Sequence, residues 1–247
     1  MAGVKVQRFP DSPVTRVSRW CFNCYLIDGD DGNVVVVDAF MPKVVTDIAP
    51  LLKGRLPVAV AATHGHPDHV SGAPALAARY GSAIHLPSTT LSYIEDSAKP
   101  RTPSVAKLVR TWPVLFGQPF AIKAALGFVA ASTTVGFGTS RGMLWSGPEP
   151  AGGLDDGDRL PGASSWSVIN TPGHTDDGIA FWHSDSRTLL SGDAVLTIRG
   201  KPRLAPDIID VASASRTAAR LRALPVEHLL PGHGRPLHGV SVLGDAR

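Results

Sequence analysis

Five short apolar runs rich in β-branched residues recur along the chain, and each is followed by a polar residue of the kind that binds metal ions or orients ligands. Such runs, bounded by Gly or Pro, are typical of buried strands. Because α/β sheets commonly place their sites at the carboxyl ends of strands, we expect these polar residues to lie together. The runs are NVVVVDAF (33–40), LPVAVAATHGHPDH (56–69), SSWSVINTPGHT (164–175), SRTLLSGDAV (186–195) and VEHLLPGHG (226–234).

Two segments between these runs have the pattern of amphipathic helices. DHVSGAPALAARYG (68–81) has Asp68 as a candidate N-cap and Gly81 as a candidate C-terminal stop. ASASRTAARLRALP (212–225) is rich in Ala and Arg. Hairpin signals such as DGDDGN (28–33) occur near the N-terminus. This mixture predicts an α/β fold in which sheets pack on each other and helices lie outside.

Composition and charge narrow the possible partners. The chain has 247 residues with 43 % hydrophobic content, which is enough for a large core, and we predict a single domain over residues 1–247. Its 24 Lys and Arg against 21 Asp and Glu give a net charge of +3, and the charges are spread rather than gathered into a run. We therefore expect a small-molecule substrate and no nucleic-acid partner. No segment reads as a membrane span or a secretory signal, so we expect no stable membrane insertion and a cytoplasmic protein, with a homodimer left open.

The segment 88–148 departs from the alternation of strands and helices. It mixes Pro breaks with apolar stretches, mainly within residues 114–137, and we predict a helical, partly apolar insertion. Two interpretations are compatible with each other. The insertion supplies helices to the core, or it forms a lid that lines an apolar substrate pocket.

The stretch HGHPDH, which begins at His64, places three histidines and an aspartate inside six positions. Neutral imidazoles and carboxylates are the ligands that borderline or hard divalent ions prefer. Because Pro67 prevents regular helix at this point, the rings of His64 and His66 can converge on one ion, while Asp68 and His69 face a neighbouring point. Ligands from the distant runs would complete both sites, and the sequence offers His174, Asp193 and His233.

A single histidine is more often a satisfied polar residue than a metal ligand, and an isolated aspartate is often a helix cap or a turn residue. The set as a whole argues against this interpretation, because five of the nine histidines lie at strand ends bounded by Gly or Pro. We therefore predict two divalent metal ions per chain, with zinc as the expected ion and manganese or iron as alternatives. The histidines that lack this context, and that we expect to be structural, are His85, His183, His228 and His238.

The ordered motifs D, H-x-H-x-D-H, H, D and H, which run from Asp38 to His233, resemble the metallo-β-lactamase superfamily. The resemblance implies a four-layer αββα sandwich with a binuclear site at one edge. It assigns the first ion to His64, His66 and His174, the second ion to Asp68, His69 and His233, and a bridging position to Asp193. It also implies that Asp38 orients ligands by hydrogen bonding rather than binding metal.

The charges of such a site predict a hydrolytic reaction. The four positive charges of two divalent ions exceed the two negative charges of Asp68 and Asp193. This surplus of positive charge favours a metal-bridging hydroxide near neutral pH. We expect the hydroxide to attack a carbonyl carbon, with Asp68 and Asp193 as the catalytic carboxylates and Asp68 orienting the water or handling its proton.

Similarities and differences between this sequence and known branches of the superfamily indicate which class of substrate to expect. The pattern is most similar to glyoxalase-II-like hydrolases, through NCYLI, THGHPDHVSGAPAL, TPGHT and SGDAVL. Lactonases of the superfamily carry a tyrosine at the position of Leu196, which weakens a lactonase assignment. Arg199, Lys201 and Arg203 follow the bridging aspartate and are candidates for recognising an anionic group. We predict cleavage of an ester-like bond, a thioester first and a lactone next, in a small substrate with an apolar acyl part.

Two other activities remain as alternatives. The glyoxalase-II-like branch includes mononuclear iron persulfide dioxygenases, whose His/His/Asp triad would here be His64, His174 and Asp193. A β-lactamase-like amide hydrolase is the other alternative. The best-known zinc β-lactamases have a cysteine or no equivalent ligand at the position of Asp193, which argues against β-lactam hydrolysis.

Overall fold

The computed structural model of the protein describes residues 4–101, 145 and 147–244, together with positions 122, 126, 127, 129 and 130. Its main feature is a pair of β-sheets. The first sheet has seven strands, in the spatial order of the chain: β1 (Lys5–Arg8), β2 (Val14–Arg19), β3 (Phe22–Asp28), β4 (Val34–Val37), β5 (Pro57–Ala61), β6 (Ala83–Pro87) and β7 (Gly152–Leu154). The pairs β1-β2, β2-β3 and β3-β4 are antiparallel, and β4 to β7 run parallel to one another.

The second sheet has six strands in the order β15-β14-β11-β10-β9-β8. Its strands are β8 (Arg159–Leu160), β9 (Ala163–Asn170), β10 (Ile179–His183), β11 (Thr188–Gly192), β14 (His228–Pro231) and β15 (Leu237–His238). β11 and β14 are parallel, and the other pairs are antiparallel. A separate hairpin lies between β11 and β14 in the chain and consists of β12 (Val195–Ile198) and β13 (Lys201–Leu204).

The described α-helices are α1 (Val44–Leu52), α2 (Pro67–Val70), α3 (Ala73–Tyr80), α4 (Ser88–Ile94) and α5 (Val211–Arg222). They cover the outer faces of the sheets, except for α2, which lies at the edge of the first sheet after β5. A 3₁₀ turn at Asp30–Gly32 joins β3 to β4, which confirms the hairpin predicted from DGDDGN. None of the helices in the described part of the chain is long and apolar enough to cross a membrane.

β4 shows why the sheets are stacked as inner layers. All four of its valines are buried, and successive side chains of a strand point to opposite faces. Val34 and Val36 pack with the apolar faces of α1 and α3, whereas Val35 and Val37 pack with the second sheet. The strand is therefore covered on both sides, as an interior layer requires.

The second sheet is covered in the same way. Leu190 contributes to the core between the sheets, and its neighbour Leu189 packs with Leu221 of α5 on the outer face. The layers are thus helix, sheet, sheet and helix. The predicted αββα sandwich is confirmed, and the predicted helical insertion 88–148 lies largely outside the described residues, apart from α4 at its start.

The helix expected over residues 68–81 is wrong in its details. It is divided into α2 and α3, and His66, rather than Asp68, is the residue before its first turn. Gly72 marks the division because its backbone N–H donates to Ala39 O at 2.7 Å, and a Cβ there would lie 2.8 Å from the same oxygen. Gly81 ends α3 with a φ of 73°, as predicted.

The two sheets are also joined by polar contacts at the end of β14. The Tyr25 hydroxyl, on β3, donates to Pro231 O at 2.6 Å, and Asn23 Nδ2 donates to the same oxygen at 2.8 Å. Asn23 Nδ2 also donates to Gly234 O at 3.0 Å. These bonds fix the PGHG loop, and with it His233, against the first sheet.

Replacing Tyr25 with Phe should test this connection. Tyr25→Phe removes one buried hydrogen bond and leaves Pro231 O with Asn23, so we expect the free energy of unfolding to fall by about 1 kcal/mol. The measurement is denaturant unfolding of the metal-free protein, with Tyr80→Phe at a half-buried position of α3 as the control. Equal stability of the two variants would contradict a contribution of the Tyr25 hydroxyl.

Candidate metal centre

Three histidines form one group at the edge where the strands of both sheets end. His64 follows β5, and His66 keeps an extended backbone (φ −67°, ψ 147°) because Pro67 begins α2 directly after it. His174 comes from the loop after β9, and its Nε2 lies 3.2 Å from His66 Nδ1. One ring nitrogen from each of His64, His66 and His174 lies within 4.8 Å of the other two.

A second group lies beside the first. One ligand-type atom from each of Asp68, His69 and His233 lies within 4.8 Å of the other two. Asp68 and His69 are on α2, and His233 is in the loop after β14. His233 Nε2 is 3.0 Å from Asp68 Oδ2.

Asp193 lies between the two groups. It follows β11, where Gly192 has a φ of 50°. Its Oδ2 is 3.6 Å from His174 Nε2 and 3.3 Å from His233 Nε2, and its Oδ1 is 3.6 Å from His69 Nε2. One carboxylate thus contacts members of both groups. The structure brings together all seven residues that were predicted from the sequence to be metal ligands.

The atoms that face the centre fit a divalent cation. His64 Nε2, His69 Nε2 and Asp193 Oδ1 are buried and have no hydrogen-bond partner. A buried polar atom without a partner costs free energy, and lone pairs that point at one another repel. A cation bound among these atoms would remove both penalties, so the donor set suits borderline or hard divalent ions.

The opposite sides of the imidazole rings have fixed partners. His233 Nδ1 is 3.0 Å from Cys21 O, and because a carbonyl only accepts, this nitrogen carries the proton. His69 Nδ1 is 2.9 Å from Asp38 Oδ2, and His174 Nδ1 is 3.1 Å from Asp207 Oδ1. In each ring Nε2 is then the nitrogen that faces the centre, and it can bind an ion once any proton on it is displaced.

Asp38 reaches its partners because its backbone is left-handed. It follows β4 with a φ of 60°, a region that few non-glycine residues adopt. Its Oδ1 accepts from the backbone N–H of Thr63 at 2.8 Å, and the Thr63 hydroxyl also donates to the carboxylate. Since that hydroxyl proton is used, Thr63 Oγ1 can accept from His64 Nδ1 at 3.2 Å. Asp38 therefore orients two imidazoles, one of them through Thr63.

Two buried aspartates that support this site were not anticipated from the sequence. Asp177 Oδ2 accepts from the backbone N–H of Gly65 at 2.9 Å and from the Thr90 hydroxyl at 2.6 Å, which fixes the HGH turn. Asp207 faces His174 from the loop after β13. Both aspartates are nearly inaccessible to solvent, but no local motif in the sequence distinguishes them from aspartates at the surface.

The electrostatics of the metal-free site are dominated by carboxylate and imidazole pairs. Burial disfavours charge on His69, but Asp38, Asp193 and Asp68 outweigh it and raise its pKa well above the ordinary value. The pKa of His233 is likewise raised, with Asp193 as the main opposing charge to the effect of burial. Burial acts to raise the pKa of Asp68, but His69 and His233 lower it to about 2. The pKa of Asp193 is also well below its usual value.

The candidate substrate residues lie on the hairpin that follows Asp193. Leu196 is buried and pairs across the hairpin with Arg203, and Lys201 pairs with Ile198. Arg199 occupies the turn with a φ of 52°. None of the ion pairs within the described ranges involves the three basic residues of this hairpin.

The four histidines predicted to be structural lie outside the groups that could bind metal in the described residues. His183 Nδ1 contacts the Ser186 hydroxyl at 2.7 Å. His228 and His238 pair through their Nδ1 atoms at 2.8 Å. His85 is half-buried on β6.

Comparison with known proteins identifies the family. The family model of the metallo-β-lactamase superfamily matches residues 23–233, so the chain belongs to this superfamily, and the prediction that it is an enzyme of this superfamily is confirmed. A Bacillus subtilis (strain 168) protein described as the probable metallo-hydrolase YflN is 26 % identical over an alignment of 247 residues. That alignment covers 90 % of this chain and 84 % of the relative. A specific closeness to glyoxalase-II-like proteins stays a prediction.

Solved structures show the same fold. A metallo-β-lactamase from Pontibacter korlensis aligns with a TM-score of 0.63 and 16 % identity over 98 % of this chain and 95 % of its own. The protein TTHA1623, solved in a di-iron-bound form, aligns with a TM-score of 0.58 and 23 % identity over 90 % and 92 % of the two chains. Members of this fold bind divalent metal ions, and the groups described above match that property.

A methyl group at Gly232 should disturb the centre directly. A Cβ there would lie 2.3 Å from Asp193 Oδ1 and 2.8 Å from His69 Cε1, so Gly232→Ala must displace both residues. We expect metal binding to weaken about 10-fold or more, measured by competition with a chelator. The control is Gly152→Ala, because a Cβ there has His85 Nδ1 at 3.9 Å as its nearest neighbour. Equal metal affinity of the two variants would contradict the described packing around Asp193.

Metal binding should strengthen as the pH rises. Because the pKa values of His69 and His233 are raised in the metal-free protein, these rings retain protons that a metal ion must displace. Asp68, with a pKa of about 2, is already ionised and does not affect this range. We expect the apparent affinity to increase from about pH 6 to about pH 8, with proton release on binding detectable by calorimetry in buffers of different ionisation enthalpy. An affinity independent of pH over this interval would refute the argument.

Proposed function

We propose that the protein is a metallo-hydrolase with a dinuclear centre. His64, His66 and His174 would hold the first ion, Asp68, His69 and His233 would hold the second, and Asp193 would contribute to both. The observation that supports this most strongly is the position of Asp193, whose carboxylate lies within 3.6 Å of ring nitrogens from both groups. The unpartnered buried atoms that face the centre support the same assignment.

The residues around the centre have distinct roles in hydrolysis. Two divalent ions bound there would lower the pKa of a coordinated water to about 7 and polarise the carbonyl group of a substrate. Asp68 retains some exposure, at 13 % of its side-chain surface, whereas His69 is 1 % exposed, so Asp68 faces the open side. We therefore assign it to orienting the attacking water through an accepted hydrogen bond or to handling the proton of that water.

An ester-like bond is the proposed target, with a thioester as the first choice and a lactone as the second. Arg199, Lys201 and Arg203 support an anionic substrate, since their charges are not used by ion pairs in the described part of the chain. Lactonases of the superfamily carry a tyrosine at the position of Leu196, and leucine has no hydroxyl group that could contact the substrate. The lactone is therefore the second choice.

An apolar acyl part is proposed to contact residues 114–137, most of which lie outside the described residues. At three described helical positions, Ile122, Leu126 and Val129 are 64 %, 65 % and 59 % exposed, so these side chains are not part of the core. A Cβ at Gly127 would lie 3.7 Å from Met41 Sδ, in the loop that follows Asp38. This placement supports the lid interpretation over core helices at those positions.

The alternatives make different use of the same residues. A mononuclear iron persulfide dioxygenase would need His64, His174 and Asp193 and would leave the second group without a role. The second group is as well assembled as the first, which favours two ions and hydrolysis. An amide hydrolase of the β-lactamase type would use the same centre, so only a substrate test separates it from a thioesterase.

Elemental analysis and a substrate panel should test the proposal. We expect about two zinc or manganese ions per chain and faster turnover of chromogenic thioesters than of lactones, β-lactams or phosphodiesters. One iron per chain with oxygen consumption would instead establish the dioxygenase. Inactivity on every substrate of the panel, with two ions bound, would indicate a metal-binding protein without turnover.

Asp193→Ala should abolish activity, with a loss of at least about 1000-fold, and should reduce the bound metal, because both ions lose a ligand and the buried imidazoles lose their counter-charge. The matched control is Asp185→Ala, in the exposed turn between β10 and β11. Full activity of Asp193→Ala would refute the bridging assignment.

A further inference from the structure

The carboxylate of Asp207 faces His174 from the side opposite to the metal centre. Asp207 is 7 % exposed and lies in the loop between β13 and α5. Its Oδ1 is 3.1 Å from His174 Nδ1. We propose that Asp207 is a positioning residue that fixes the ring orientation and tautomer of His174 for the first metal ion, an inference that rests on the proposed function.

The two nitrogens of His174 have separate surroundings. Nε2 faces the centre, at 3.2 Å from His66 Nδ1 and 3.6 Å from Asp193 Oδ2. Nδ1, on the other side of the ring, faces Asp207. An ionised carboxylate only accepts, so this contact requires the proton on Nδ1 and leaves the Nε2 lone pair directed at the ion.

The alignment of this contact falls short of a full hydrogen bond, because His174 Nδ1 has no partner that meets both distance and angle. Contacts of this kind are often poorly aligned before the site is loaded and tighten afterwards. The distance of 3.1 Å is already within the range of an N–H···O bond.

The loop that carries Asp207 is fixed to the loop that carries His174. The backbone N–H groups of Ile209 and Asp210 donate to Gly173 O at 2.8 and 3.0 Å. Gly173 has a φ of 142°, and a Cβ there would lie 2.5 Å from the Cα of Ala214 in α5. The turn before His174 is therefore held between α5 and the metal centre.

Capping of α5 does not account for the buried position of Asp207, because Asp210 is the residue that caps this helix. Asp210 accepts from the backbone N–H of Ser213 at 3.0 Å. Asp207 has no such role in the cap, and burying its carboxylate is costly without a partner. His174 is the partner that the structure provides. Asp207 thus completes a set in which His69, His174 and His233 each have an outer acceptor, here Asp38, Asp207 and Cys21 O.

Asp207→Asn tests the proposal because it keeps the size of the side chain and removes its charge. We expect the first metal ion to bind about 10- to 100-fold more weakly, with the second ion much less affected. The readouts are chelator competition and the cobalt(II) absorption spectrum of the substituted protein, in addition to activity. Asp210→Asn is the matched control, since it alters the same loop and the cap of α5 without removing the carboxylate that faces His174.

The outcomes separate this inference from the proposed function. If the wild-type protein binds fewer than two ions, the proposed function itself fails. If the wild-type protein binds two ions and Asp207→Asn matches it in affinity and cobalt spectrum, only the inference is overturned. It is also overturned if Asp207→Asn loses metal only as far as Asp210→Asn does at equal loss of folding stability.

A second variant covers the case in which Asp207→Asn does not fold. Asp207→Glu keeps the charge and shifts the carboxylate by one methylene group. A metal affinity below that of the wild type, with an altered cobalt spectrum, supports the positioning role. An affinity and a spectrum identical to the wild type would overturn it.

Discussion

The structure depends on the burial of imidazole and carboxylate groups whose inner atoms face one another without hydrogen-bond partners. His64 Nε2, His69 Nε2 and Asp193 Oδ1 have no partner, although each lies in the buried interior. Such an arrangement is unfavourable in itself, because a buried polar atom without a partner loses its hydration and gains no hydrogen bond in return. It is tolerated when the outer atoms of the same side chains are held firmly and a cation can occupy the middle. The fold supplies both conditions at one edge of its two sheets.

Both sheets contribute to that edge through parallel strand pairs. β4 and β5 lead to Asp38 and to His64, while β11 and β14 lead to Asp193 and to the loop of His233. Parallel neighbours end on the same side, so their terminal residues meet without long connecting loops. Asn23 and Tyr25 then bind the carbonyl groups of the PGHG loop and hold the second sheet against the first at this point. Core packing and metal binding are therefore parts of one arrangement.

The sequence predicted the strands and the residues at their ends because both follow from local patterns. The buried run VVVV and the Gly- and Pro-bounded histidines identify themselves within a few residues. The supporting aspartates have no such pattern. Asp177 is 112 positions from Gly65, whose N–H it accepts, and Asp207 faces His174 only because β12 and β13 turn the chain back. The division of the predicted helix at Gly72 has the same cause, since it depends on the carbonyl of Ala39 from another part of the chain.

The two halves of the site differ in what supports them, and this difference has consequences for specificity. His233 is held by the backbone carbonyl of Cys21, which no side-chain substitution removes. His174 faces a side chain, Asp207, at the end of the same segment that carries Asp193, Leu196 and the basic residues of the hairpin. Under the proposed function, substitutions in this segment would therefore affect substrate recognition and the first metal-binding group together. The segment proposed to contact the acyl group, residues 114–137, contains none of the proposed metal ligands, so under the proposed function substitutions there would alter the preferred acyl group and leave the ligands unchanged.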